Sequence, residues 1–266
     1  MNYLLKFGIE RNPFIKNDND EKIDLLNTGQ LLFRLRHLEE TKGIGLITGE
    51  PGLGKSTTIR HWAKSLNTNL YKVIYISHST VSVHEFYREI CYQMGLEEYY
   101  SKRKNLNEIQ NEIKRLSIEK RITPVIILDE ANYLSASVLN DLKILLNFDM
   151  DSKEPYILLL IGQVCIRDTI NRKSYDSLKQ RISMIYNFEP MDREESEKYI
   201  NSKLAIAGAN RKILSNESYN TIIDKANGVP RIINQIMDKA LVLMENKKLD
   251  MINETIMSEA IDEIKI

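Results

Sequence analysis

The chain of 266 residues is long enough to bury a full core without metals or disulfides, and its composition, 42% hydrophobic and 28% charged, is that of a globular protein. Lys+Arg and Asp+Glu both number 37, so the formal net charge is zero; a histone-like binder is excluded, and any attraction to nucleic acid must come from a local patch. Cys91 and Cys165 stand far apart in no paired motif, so neither a disulfide framework nor a zinc site is expected, and a reducing cytosol fits.

The opening MNYLLKFGIERNPF lacks the basic segment and long apolar run of a secretion signal. The apolar runs near Val125–Leu128 and Tyr156–Gly162 are too short to span a bilayer, so a soluble cytoplasmic protein with no membrane partner is expected. His37, His61, His78 and His84 occur in no metal-binding context and read as ordinary surface residues.

In chain order, hydrophobic periodicity predicts a helix over Thr28–Thr41, a strand over Ile44–Thr48, a helix over Lys55–Leu66, a strand over Lys72–Ser77 and a helix over Val83–Met94. The segment LEEYYSKRKNLN, 96–107, reads as a charged, tyrosine-rich loop suited to an outside contact, followed by a helix over Leu106–Glu119. A strand over Pro124–Leu128 and a helix over Ser135–Asn147 come next; on that helix Val138, Leu142, Leu145 and Leu146 share a face, and Asp141 and Lys143 are expected to point away. Strands follow over Tyr156–Ile161 and Met184–Phe188, the middle strands being apolar almost throughout, as parallel strands covered on both faces are. Beyond Asp192 only helical patterns remain, over Glu194–Ala207, Asn216–Ala226, Val229–Glu245 and Asn253–Ile264, so a small helical bundle behind an α/β domain is expected.

The stretch GEPGLGKST, Gly49-Glu50-Pro51-Gly52-Leu53-Gly54-Lys55-Ser56-Thr57, lies between a predicted strand and a predicted helix and fits the phosphate-binding pattern G-x-x-x-x-G-K-[ST]. Its glycines let backbone N–H groups converge on phosphate oxygens, Lys55 reaches the terminal phosphates and the Ser56 hydroxyl can ligate Mg²⁺. Further on, PVIILDEAN ends a buried strand in two carboxylates: Asp129 suits the metal shell and Glu130 suits a base that polarises water. Gln163 ends the strand YILLLIGQ and would lie beside the terminal phosphate if that strand neighbours the first. Arg181 in LKQRISMIYNF and Arg231 in NGVPRIINQI could stabilise charge on a transferred phosphoryl group, a surface salt bridge being the competing reading of each.

Together TGEPGLGKST, VIILDEAN, LLNFDMDSKEPYILLLIGQ, LKQRISMIYNF and GVPRIINQI resemble the AAA+ ATPases of the ExeA-like group, which also holds the transposon target-selection ATPases of the TnsC, TniB and MuB kind; FGIERNPF resembles the group's N-terminal motif. The resemblance implies a P-loop NTPase (AAA+) α/β fold, a five-stranded parallel sheet flanked by helices with a small C-terminal all-α lid. It implies an N-terminal segment over 1–27 lining the adenine pocket with Phe14, a nucleotide-binding domain over 28–190 and the lid over 191–266. Lys55 and Ser56 match Walker A, Asp129 and Glu130 match Walker B, and Gln163 falls at sensor 1. Arg181 matches the finger offered to a neighbouring subunit and Arg231 the sensor 2 arginine.

ATP and Mg²⁺ are the implied cofactors. The implied function is an ATP-dependent regulator of DNA transposition that forms homo-oligomers on duplex DNA, recruits a transposase and disassembles on hydrolysis. Absence of an apolar span or further domain up to Ile266 favours this over the alternative, a secretion or cell-envelope assembly ATPase acting on proteins. Lys102, Arg103 and Lys104 form the most concentrated basic cluster for DNA contact, a solvated charged loop being the competing reading.

Overall fold

The computed structural model describes residues 4, 7–15, 23–77, 82–148, 154–210 and 212–264. His78, positions 149–153 of the LLNFDMDSKEPYILLLIGQ motif and parts of the 1–27 segment lie outside them. The chain forms two units, one of Gln30–Pro51 and Lys55–Phe188, the other of the residues up to Gly29 with Gly52–Gly54 and Glu189–Ile266.

The first unit is built on β1 (Gly43–Gly49), β2 (Tyr71–Ile76), β3 (Thr123–Leu128), β4 (Ile157–Gly162) and β5 (Ile182–Phe188). They make one parallel sheet in the order β2-β3-β4-β1-β5. The sequence of each strand matches its place in that order. GIGLITG and ILLLIG in the middle are buried along their whole length, because helices cover both faces there. YKVIYI and ISMIYNF, at the two edges, alternate buried and exposed residues.

The helices of the connections are α1 (Leu26–Thr41), which leads into β1, α2 (Lys55–Ser65), α3 (Val83–Met94), α4 (Lys102–Lys114), α5 (Ala136–Leu145), α6 (Cys165–Ile170) and α7 (Asp176–Lys179). Several start on side-chain caps written in the sequence. Ser82 accepts from the Glu85 N–H while the Glu85 carboxylate accepts from the Ser82 N–H, and α3 ends at Gly95 in the left-handed conformation. Ser101 and Ser135 cap α4 and α5 with a single bond each, accepting from the N–H groups of Lys104 and Val138. The expected helix over Leu106–Glu119 is corrected at both ends: α4 begins at Lys102, and beyond Lys114 the chain continues as a single π turn, Arg115–Glu119.

In the second unit α8 (Arg193–Ile206), α9 (Asn216–Ala226), α10 (Pro230–Asn246) and α11 (Glu254–Ile264) bury one face each. Ile200, Ile222, Ile233, Met237, Leu241 and Ile256 are central to their shared core. Asp192 and Ser215 cap α8 and α9, and Pro230 sits at the first turn of α10, where its missing N–H costs nothing. Among the described residues no helix is long and apolar enough to cross a membrane.

Candidate nucleotide-binding site

The neighbours β3, β4 and β1 bring three sequence motifs to one edge of the sheet. In register, Leu128 pairs with Leu160 and Thr48 with Gly162. The C-terminal ends of these strands therefore carry Asp129-Glu130, Gln163 and, leaving β1, Gly49–Pro51 side by side, which is where open parallel sheets place ligands.

The strand end that launches the loop is held from one side by Thr48, whose buried hydroxyl donates to Asn187 Oδ1 of β5 at 2.9 Å. Lys55 then turns back over the loop: its Nζ donates to the carbonyls of Gly49 at 2.7 Å and Glu50 at 2.8 Å. Ser56 and Thr57, in the first turn of α2, are exposed. Gly54 has a φ of +98°, and the space a Cβ would take there is open. A side chain is thus disfavoured by the backbone conformation rather than by a neighbour, and the open space is what a phosphate needs to approach the main chain. These residues fit an Mg²⁺-nucleotide: open space against the main chain at Gly54, the Lys55 ammonium, and a hydroxyl and carboxylate of the hard-oxygen kind Mg²⁺ takes. Pro51 is exposed and Leu53 buried; in the second unit, to which Gly52–Gly54 belongs, the Arg231 N–H donates to the Gly52 carbonyl at 3.3 Å.

Asp129 is 7% exposed, and its two oxygens are separately engaged. Oδ1 accepts from the Glu130 N–H at 2.9 Å and Oδ2 from the Tyr75 hydroxyl at 2.8 Å. Glu130 follows in a left-handed conformation, φ 52° and ψ 38°, with its side chain exposed. Burial and the bond to Asp129 push the Tyr75 phenol well above its usual range, so it remains a donor.

The short turn Ala131–Tyr133 then brings Asn132 against β4, where its Oδ1 accepts from the Gln163 N–H at 2.9 Å. Gly162 leaves room for this approach: a Cβ there would lie 2.8 Å from Asn132 Oδ1. The sequence alone marks neither Asn132 nor Tyr75 as part of the site. Asn132 stands inside the DEAN motif, but its partner is a main-chain group at the end of the next strand, β4, and nothing in YKVIYI marks Tyr75 until β2 and β3 are paired.

Arg181 is half-buried, and one of its guanidinium nitrogens donates to the Lys143 carbonyl at 3.2 Å. Phe14 is 4% exposed, in the core of the second unit with Phe7 and Ile9. Its segment is stitched there by Lys203 to the Pro13 carbonyl and by Asn12 to Asp238. Two expectations are corrected. Lys102, Arg103 and Lys104 are not on a loop but form the first turn of α4, and Asp141 does not point away to solvent: it is 8% exposed and pairs with Lys102 at 2.5 Å. A buried carboxylate is costly unless paired, and the pairing removes Lys102 from the available basic cluster. Arg103 and Lys104 remain exposed, Lys104 lying over the Tyr99 ring.

Fold and site together define a P-loop NTPase of the AAA+ type. The AAA domain family matches residues 36–170, and the chain belongs to it. General secretion pathway protein A of Aeromonas hydrophila is 29% identical over 247 residues, 90% of this chain and 44% of its own length. The ATP-dependent target DNA activator B of Escherichia phage Mu is 28% identical over 116 residues, 44% of this chain and 35% of its own. The chain thus spans less than half of either relative. Among solved structures, Cdc6p from Pyrobaculum aerophilum has the same fold, with a TM-score of 0.72 at 17% identity over 92% of this chain and 68% of that one.

Proposed function

We propose that the chain hydrolyses ATP with Mg²⁺, assembles with copies of itself on duplex DNA in the ATP-bound form, recruits or activates a transposase there, and is released by hydrolysis. The observation that carries the catalytic part is the arrival of Lys55, Asp129-Glu130 and Gln163 at the ends of three adjacent strands. Ser56 and Asp129 would hold the metal, which supplies charge neutralisation between the phosphates. Lys55 would bind phosphate oxygens. Glu130, exposed beside the buried Asp129, would take the proton of the attacking water, and Gln163 would orient that water. Arg231 would sense the bound nucleotide, and Arg181 would serve the site of an adjacent copy.

The DNA part is supported by the likeness to a target DNA activator and by the first turn of α4, which carries Arg103 and Lys104 exposed and no acidic residue. Cations at a helix N-terminus oppose its dipole, so the helix itself does not favour them there, whereas a phosphate backbone would. A second reading, an ATPase acting on protein partners in secretion, is favoured by the extent of the match to General secretion pathway protein A.

Duplex binding measured with a non-hydrolysable ATP analogue, at low and at high salt, separates the two. The DNA reading expects binding that needs the analogue and weakens steeply with salt. Absent or salt-independent binding overturns it and leaves the protein-partner reading.

A further inference from the structure

Resting on the reading of Asp129 as the metal carboxylate, we infer that Tyr75 is a positioning residue that sets the plane of that carboxylate for Mg²⁺. The placement follows from the sheet. In the parallel pair β2 and β3, Tyr75 stands opposite Ile127, and the Asp129 N–H continues the ladder by donating to the Ile76 carbonyl at 2.9 Å. Alternation puts Tyr75, Ile127 and Asp129 on one face, with Asp129 displaced along the strand by two residues, about 6.6 Å. A side chain of tyrosine length leaning along β2 covers that distance, and the Tyr75 hydroxyl meets Asp129 Oδ2 at 2.8 Å.

A carboxylate oxygen has two acceptor directions. The Tyr75 hydroxyl takes one on Oδ2 and the Glu130 N–H takes one on Oδ1, at 2.9 Å. These two donors fix the rotation of the group from opposite ends. The Glu130 donor belongs to the main chain and survives every substitution but proline; the Tyr75 donor is lost with its hydroxyl. Tyr75 is also 46% exposed at the sheet edge, and its ring is not part of the unit's buried core. Outer partners of this kind typically carry about 10- to 100-fold in metal affinity through the ligand they orient.

The test is Mn²⁺ binding, followed by its electron paramagnetic resonance signal in the presence of a non-hydrolysable ATP analogue, for the full chain and for Tyr75→Phe, Tyr75→Leu and Asp129→Ala. Nucleotide affinity in excess chelator is measured alongside. Tyr75→Phe removes only the hydroxyl and Tyr75→Leu the ring as well. Both are expected to weaken Mn²⁺ by a similar factor of about 10 or more while leaving metal-free nucleotide affinity unchanged. If Asp129→Ala abolishes the site and Tyr75→Phe leaves Mn²⁺ affinity unchanged, the inference is overturned and the site reading stands. A Tyr75→Leu effect without a Tyr75→Phe effect overturns it equally, since the ring and not the hydroxyl would then matter. If Asp129→Ala leaves Mn²⁺ bound as before, the reading of the site fails and takes the inference with it.

Discussion

Asn132 and Gln163 join two parts of the site that the sequence keeps apart: the Asn132 side-chain oxygen accepts the Gln163 main-chain N–H at 2.9 Å and fixes the turn after Glu130 to the end of β4. The same oxygen lies 2.8 Å, and the Asn132 N–H 3.1 Å, from where a Cβ at Gly162 would sit.

Gly162→Ala therefore overpacks this contact and is expected to lower stability by about 1–3 kcal/mol in urea unfolding. Asn132→Ala loses one hydrogen bond, about 1 kcal/mol. Because Asn132→Ala also removes the nearest clashing atom, the double variant is expected to lose less than the sum of the two. Strict additivity would show that the contact does not couple the residues.

The basic residues of α4 are expected to divide by role. Lys102→Ala leaves the buried Asp141 without its ion pair and should cost about 1 kcal/mol, less than a fully buried pair because Lys102 is 45% exposed. Arg103→Ala and Lys104→Ala should change stability by no more than about 0.5 kcal/mol. For duplex binding with an ATP analogue, each of the latter should instead reduce the salt slope by about 1. Thermal unfolding and salt titrations on the same variants check both halves.

Glu112 supplies a pH-dependent term. Its carboxylate accepts two hydrogen bonds from Arg115, at 2.6 and 2.7 Å, which hold it below its ordinary pKa despite burial. A folded-state pKa lower than the unfolded one stabilises the protein above the unfolded value and loses that stabilisation as pH falls through the folded value. Glu112→Gln should then be less stable by about 1 kcal/mol near neutral pH, with the gap closing in acid as the pH falls through the lowered folded-state pKa. An equal gap at both would mean that the pair contributes through shape alone.

The two cysteines should react very differently. Cys91 is buried and burial pushes its thiol up to about 11, while Cys165 is exposed. A thiol reagent applied to the folded protein should label Cys165 alone, the second equivalent appearing only on denaturation; rapid labelling of Cys91 would contradict its place in the core.

Much of the fold is legible locally. The five strands announce themselves as apolar runs, and Ser82, Glu85 and Gly95 bracket α3 with cap chemistry that needs no tertiary partner. The P-loop and the Asp129-Glu130 pair are legible for the same reason: each lies at the end of one continuous strand. The errors fall where distant residues decide. Asp141 reads as a surface acid because its compensating partner, Lys102, comes from another helix. The start of α4 is hidden because the residue its first turn buries is Asn105, a polar side chain satisfied by Tyr99, so no apolar residue marks the helix before Leu106. Tyr75 and Asn132 become visible only after strand order is known.

Whether the sheet edge carrying Lys55, Asp129, Glu130 and Gln163 hydrolyses ATP is decided by the turnover of Glu130→Gln. The exchange keeps size and removes the base. The variant should bind an ATP analogue as the unaltered chain does while steady-state hydrolysis falls by about 100-fold or more. Turnover close to that of the unaltered chain would contradict it.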